Sequence, residues 1–221
     1  MAVVIILMSV GPSQAAPSAD EIAVRASEKL REIQTIQADV AADYSDPSGK
    51  APIKMTVRVS ADRVSKLTRM EITEHQVLEG QIIILDMKKD QATVYMPVTG
   101  QAYRGKTQSI AAQLGLDMGT LDLDHLLSLD PAGVMVFKYV RQDKIDRLPY
   151  HVIETRSKDE QTGYQLVWVD CETYMVRKVE VYDSQGKRIA AVAINNLKLN
   201  AKLDANKLRE LPKGTRITDI K

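Results

Sequence analysis

The chain has 221 residues, 44% of them hydrophobic and 27% charged, with 30 basic against 29 acidic side chains for a formal charge of +1. Such a length suits one well-packed domain, and the composition excludes both a disordered chain and a multi-span membrane protein. No block of like charge stands anywhere, so the electrostatic footprint of a nucleic-acid binder is missing as well.

The N-terminal stretch from Ala2 to Val10 is an uncharged apolar run, followed by Gly11-Pro12 and then Ser13-Gln14-Ala15. Small residues at the −3 and −1 positions suit a signal peptidase, so residues 1–15 read as a signal peptide and 16–221 as one mature, exported domain. The run is far shorter than the roughly 20 apolar residues that a membrane-spanning helix needs. It opens without the Lys or Arg that usually precedes such a run. Cys171 is the single cysteine; it has no internal disulfide partner and does not follow the apolar run, where a lipid-modified cysteine would stand.

Asp20 to Thr35 places Ile22, Ala26, Leu30 and Ile33 on one face and Glu21, Arg25, Glu28, Lys29, Arg31 and Glu32 elsewhere, which predicts an amphipathic helix. Ser18 ahead of it and Glu21 three residues on match a capping box. From Gln37 the period becomes two, with strands expected at 53–59, 64–72, 81–86 and 93–96, and turns at 46–50, 88–90 and 97–100. Residues 107–129 interrupt the pattern. Ile110, Ala111 and Leu114, then Leu123, Leu126 and Leu127, carry helical spacing around the breaker 115–119. Strands resume at 134–140, 150–155, 164–169, 176–182 and 189–199, the last hairpin turning at 183–187.

Alternation within the strands predicts a sheet with one wet face. Met55, Val57 and Val59 oppose Lys54, Thr56 and Arg58, and Val179 and Val181 oppose Lys178 and Glu180. About nine strands with a single dry face must curl or be covered. The expected fold is therefore mainly β with helices (α+β): a large antiparallel sheet curled into an incomplete barrel. An N-terminal helix and two short central helices would cover its concave face and leave a hollow between the layers. Face assignment alone makes Ile22, Leu30, Met55, Val57, Met70, Ile72, Leu166, Trp168, Val179 and Val181 the expected cavity wall, with Trp168 open to either a wall or a core-packing role. The methionines suit a pocket for chains of varied shape, although ordinary core packing is the plainer account of any one of them.

Several stretches in succession resemble the outer-membrane lipoprotein-sorting (LolA-like) family. They are 164–170, with Tyr164-Gln165-Leu166-Val167-Trp168-Val169-Asp170; 179–187, through Asp183-Ser184-Gln185-Gly186-Lys187; 195–200, with Asn195-Asn196-Leu197-Lys198-Leu199-Asn200; and Leu203-Asp204, Leu208 and Pro212-Lys213-Gly214. The start, 20–39, is similar to that family's opening helix and strand. The resemblance implies an incomplete β-barrel with a helical lid that receives acyl chains in the periplasm. It also implies a lipid or lipoprotein as partner, collected from an inner-membrane transporter and delivered to an outer-membrane receptor by a monomeric, chaperone-like carrier. A signalling module of the same fold, sensing lipids or envelope stress, is the alternative. In the family's carriers an arginine fastens the lid, and Arg58, Arg63 and Arg69 are all open as its counterpart. Cavity aromatics are common there, whereas this chain has one Phe (Phe137) and one Trp.

Catalytic signals are weak. His75, His125 and His151 stand far apart with no partner at metal-ligand spacing, and GxSxG, P-loop and GxGxxG motifs are missing. Glu74 beside His75, and Asp86 with Asp170 as an imagined carboxylate pair, are explained as solvated strand and turn-entry residues. Neither an enzyme nor a cofactor or metal is expected, and nucleic acid is not an expected partner.

Overall fold

The computed structural model describes residues 17–45, 52–114, 127–129, 135–158 and 163–220. The expected signal peptide, the turn at 46–50, the breaker 115–119, His125 and nearly all of the second central helix lie outside these residues.

Helix α1 spans Ala19–Glu32 and begins at the expected capping box: the Ser18 hydroxyl accepts from the Glu21 N–H while the Glu21 carboxylate accepts from the Ser18 N–H. Its buried stripe is Ala19, Ile22, Ala23, Ala26 and Leu30. The strands are β1 (Thr35–Tyr44), β2 (Ile53–Asp62), β3 (Leu67–Glu74), β4 (Ile82–Asp86), β5 (Gln91–Met96) and β6 (Gln101–Lys106), followed by α2 (Thr107–Leu114). Then come β7 (Met135–Ile145), β8 (Leu148–Ser157), β9 (Tyr164–Asp170), β10 (Val176–Tyr182), β11 (Arg188–Leu199), α3 (Ala205–Arg209) and β12 (Arg216–Asp219).

Among the described residues the twelve strands form one sheet in the order β12-β6-β5-β4-β3-β2-β1-β11-β10-β9-β8-β7, curled but not closed into a barrel. Two antiparallel meanders, β1 to β6 and β7 to β11, are sewn together where β1 pairs with β11, Val40 opposite Ile194. The pairing of β12 with β6 is parallel. There β6 carries Gly105, where a Cβ would stand 2.8 Å from the Ile220 carbonyl oxygen, so only glycine lets the returning chain lie so close. Bulges at 37/39, 56/57, 139/141, 176/178 and 181/182 add the local twist that curls a sheet.

The main core fills the space between the helices and the inner face of the sheet. It joins Ile22, Ala26 and Leu30 of α1 to Ile36, Val40, Val57, Val59, Met70, Ile72, Ile83, Val94, Ile153, Val167, Val169, Val179 and Ile194, with Ile110 of α2 and Leu127 and Leu129.

Three expectations need correction. Val64 lies in a turn, not a strand, because the Asp62 carboxylate accepts from the Val64 and Ser65 N–H groups and Lys66 takes a left-handed φ of 55°. Strands β6 and β12 were not foreseen. Nor does the sheet have a single dry face: β4 is buried on both sides, because Ile82, Ile84 and Leu67 point outward against Leu208 of α3 and its neighbours Leu203 and Leu211.

Candidate functional site

The inner face is the candidate site, and α1 is its cover. The sequence-predicted wall residues divide. Ile22, Leu30, Val57, Met70, Ile72 and Val179 belong to the inner core, with Met55 and Val181 packed against it. Leu166 and Trp168 do not join them; they sit on the outer face with Tyr150, Val152 and Ile145. The cause is strand pairing. Trp168 lies opposite Lys178 and Leu166 opposite Glu180, whereas Val167 lies opposite Val179. Directly paired residues share a face, so β9 offers Val167 and Val169 to the inside.

Two side-chain latches hold α1. At its C-terminal end the Arg63 guanidinium donates to the Leu30 carbonyl, and to the Ile33 carbonyl at 3.0 Å, satisfying acceptors that a helix end leaves free and placing a cation against the negative pole. Of the three candidate arginines, Arg63 therefore fastens the helix. Arg58 instead bonds Asp39, and Arg69 donates to the Glu210 carbonyl beside α3. At mid-helix Arg25 donates to the Tyr174 hydroxyl at 2.7 Å and lies over that ring. Tyr174 projects from the β9–β10 turn with a φ of 57°, a conformation that costs an ordinary residue energy and fixes where the ring points. His151 follows, its ring 6.4 Å from Tyr174 and 6.0 Å from Tyr139.

The apolar inner face holds polar atoms with no partner. His151 Nδ1 and Thr155 Oγ1 are both shut off from water without a hydrogen bond. Burial pushes the His151 imidazole below its ordinary value, so it stays neutral. The sequence offers His151 only as one of three widely separated histidines, and nothing in its spacing singles it out.

The carboxylates considered for catalysis have structural partners. His75 Nδ1 accepts from the Val77 and Leu78 N–H groups, and Glu74 accepts from the Thr56 hydroxyl. Asp170 accepts from the Glu172 and Thr173 N–H groups at the turn that Tyr174 closes. Burial alone would raise the Asp86 carboxyl, but the Arg209 hydrogen bond and charge, with Lys89, outweigh it and hold it below the usual carboxylate range. Asp86 and Asp170 end strands in different halves of the sheet. Among the described residues no group of three or more His, Cys, Asp or Glu could hold a metal, and no helix is long and apolar enough to cross a membrane.

The outer face is built differently. A shallow hollow of about 350 Å³ has a floor that includes Ala41, Ala191 and Ala193 and a rim that includes Asp43, Lys54, Glu74, Lys178 and Arg188. Glu180 binds Lys178 at 2.8 Å and Arg188 at 3.4 Å, and its bond to the Tyr182 hydroxyl pushes that phenol up to about 12. Arg188 also reaches Asp43 at 3.7 Å.

An open, curled sheet covered by an N-terminal helix matches the LolA-like fold. Residues 65–203 match the model of a family described as "Uncharacterized protein", and the chain belongs to that family. No curated protein matches it. Among solved structures it is similar to an uncharacterized conserved protein from Thermus thermophilus, at 16% identity and a TM-score of 0.59 over 91% of this chain and 99% of that one. It is similar to MucB of Pseudomonas aeruginosa at 12% identity and a TM-score of 0.59, over 88% of this chain and 63% of that one; MucB is also solved in complex with MucA(peri). A LolA superfamily protein from Nitrosomonas europaea matches at 18% identity and a TM-score of 0.41, over 87% and 98% of the two chains. At these identities the likeness to the two structures with a TM-score of 0.59 is one of fold alone.

Proposed function

We propose that the protein is a periplasmic carrier that takes the acyl chains of a lipid or lipoprotein between α1 and the inner face of the sheet. The observation that carries this reading is the way α1 is held: an apolar stripe on a broad apolar surface, with side-chain latches at Arg63 and Arg25. Once the latches release, an acyl chain replaces like with like. Each methylene withdrawn from water contributes roughly 0.8 kcal/mol, enough over a long chain to offset part of the lost helix contacts. The apolar run before Ser13-Gln14-Ala15 supports export of a domain covering 16–221, and the LolA-like fold supports a route from an inner-membrane transporter to an outer-membrane receptor. Such carriage calls for no catalytic group, cofactor or metal.

Native mass spectrometry of protein taken gently from the cell envelope tests the reading. A population heavier than the polypeptide by the mass of an acyl-bearing lipid is expected, as is uptake of added lipopeptide. Bare polypeptide mass together with no uptake would overturn it.

A second reading, a regulatory module of the same fold, is favoured by the likeness to MucB, whose complex with MucA(peri) matches at a TM-score of 0.54. A stable protein partner in envelope pull-downs supports this reading over a shuttle.

A further inference from the structure

Strand β8 pairs with β9 without a break in register: Tyr150 lies opposite Asp170, His151 opposite Val169, Val152 opposite Trp168, Ile153 opposite Val167 and Thr155 opposite Gln165. Tyr150, Val152 and Trp168 belong to the outer cluster, and Ile153, Val167 and Val169 to the inner core. Alternation along both strands therefore puts Thr155 and Gln165 on the inner face. The strands on either side agree. Phe137 of β7 lies opposite Thr155 and Val181 of β10 opposite Gln165, and both pack against the inner core.

Thr155 is 1% exposed, and its hydroxyl has no hydrogen-bond partner. Other buried polar side chains are bonded: Asp170 accepts from turn N–H groups, Glu180 pairs with Lys178, and Gln81 donates to the Met96 sulfur. A buried hydroxyl left empty is costly, and valine would fill the same shape in a strand without that cost. Gln165 is half-buried, and directly paired residues hold their Cβ atoms about 5 Å apart. Two neutral side chains able to donate thus share one spot on the inner face, among the apolar Phe137, Ile153, Val167 and Val181.

A carbonyl oxygen has two lone pairs and no proton, so it can accept from both. A carboxylate or phosphate at the same spot would lose its hydration among apolar side chains and gain no countercharge from the pair. We propose that Thr155 and Gln165 seat the carbonyl of a neutral acyl ester or amide whose hydrocarbon lies along the inner face. The assignment rests on the carrier reading and adds the chemical class of the ligand to it.

Equilibrium dialysis with radiolabelled methyl palmitate, competed by unlabelled methyl palmitate, hexadecyl methyl ether or palmitate, tests the pair. The ester and the ether differ only in the carbonyl oxygen. Wild-type protein is expected to favour the ester by about fivefold, the scale of one neutral hydrogen bond. Thr155→Val should erase that preference, Gln165→Leu should reduce it, and Thr155→Ser, which keeps the hydroxyl, should retain it. A melting temperature for Thr155→Val at or above that of wild type verifies folding, since an unpaired hydroxyl has been removed. Equal competition by ester and ether in wild type, or an undiminished preference in Thr155→Val or Gln165→Leu, overturns the seat and leaves the carrier standing. A loss in Thr155→Ser as complete as in Thr155→Val overturns it too. Palmitate competing as well as the ester at pH 8 overturns the neutral class. Failure of every acyl probe to bind removes the carrier reading itself.

Discussion

Arg63 is the side chain on which the seating of α1 turns. Arg63→Ala removes the side-chain donor from the Leu30 and Ile33 carbonyls, leaving Leu30 only the long bond from the Ile33 N–H, and takes a cation from the helix's negative end. A loss of about 1–2 kcal/mol in urea unfolding is expected, with faster amide exchange in α1 than in the β1–β11 seam. His151 gives a pH signature. Because burial lowers its folded pKa beneath the ordinary 6.5, the unfolded chain binds the proton that the folded chain refuses. Stability is therefore full above about pH 6.5 and falls as pH drops from there toward the folded value. His151→Phe should flatten that part of the stability curve measured by denaturation at several pH values. The acid loss due to Asp86 and Glu180, whose carboxyls are held low, should remain.

Among the elements, α3 best separates what the sequence discloses from what it conceals. Five residues cannot hold a helix unaided, so α3 exists through its Asp204 cap and through Leu208 docked on Leu67, Ile82 and Ile84. Leu208→Ala should cost about 2–4 kcal/mol by chemical denaturation, as for other buried leucines. The alternating strands β1 and β2, the capping box and the apolar stripe of α1 were readable because one wet face imposes a strict period. Where both faces are dry the period vanishes: Ile82-Ile83-Ile84-Leu85 names a strand but not what lies over it. In β9, Leu166 and Trp168 alternate with Val167 and Val169, and both sets are apolar. Only the opposite residues Lys178 and Glu180 settle which set is inside, and pairing is a property of the folded sheet. Strand β12 was hidden by its four-residue length.

For the molecule as a whole, the seam between β1 and β11 ties the start of the described chain to its end. The N-terminal meander stays open on its β1 side until β11 has formed, so contacts of long sequence separation must close before the inner core is sealed. Refolding in milliseconds to seconds, rather than microseconds, is expected in stopped-flow experiments. The single tryptophan also has a place in the whole. Trp168 lies on the far side of the sheet from α1, its indole N–H tied to Asp143 at 3.1 Å and its ring beneath Lys178 at 4.3 Å. Its emission is thus a native beacon for one surface: cargo slipping under the helix should leave the spectrum still, and a protein docking on the outer side near Lys178 should shift or quench it. One fluorimeter trace would tell a loaded interior from an occupied exterior.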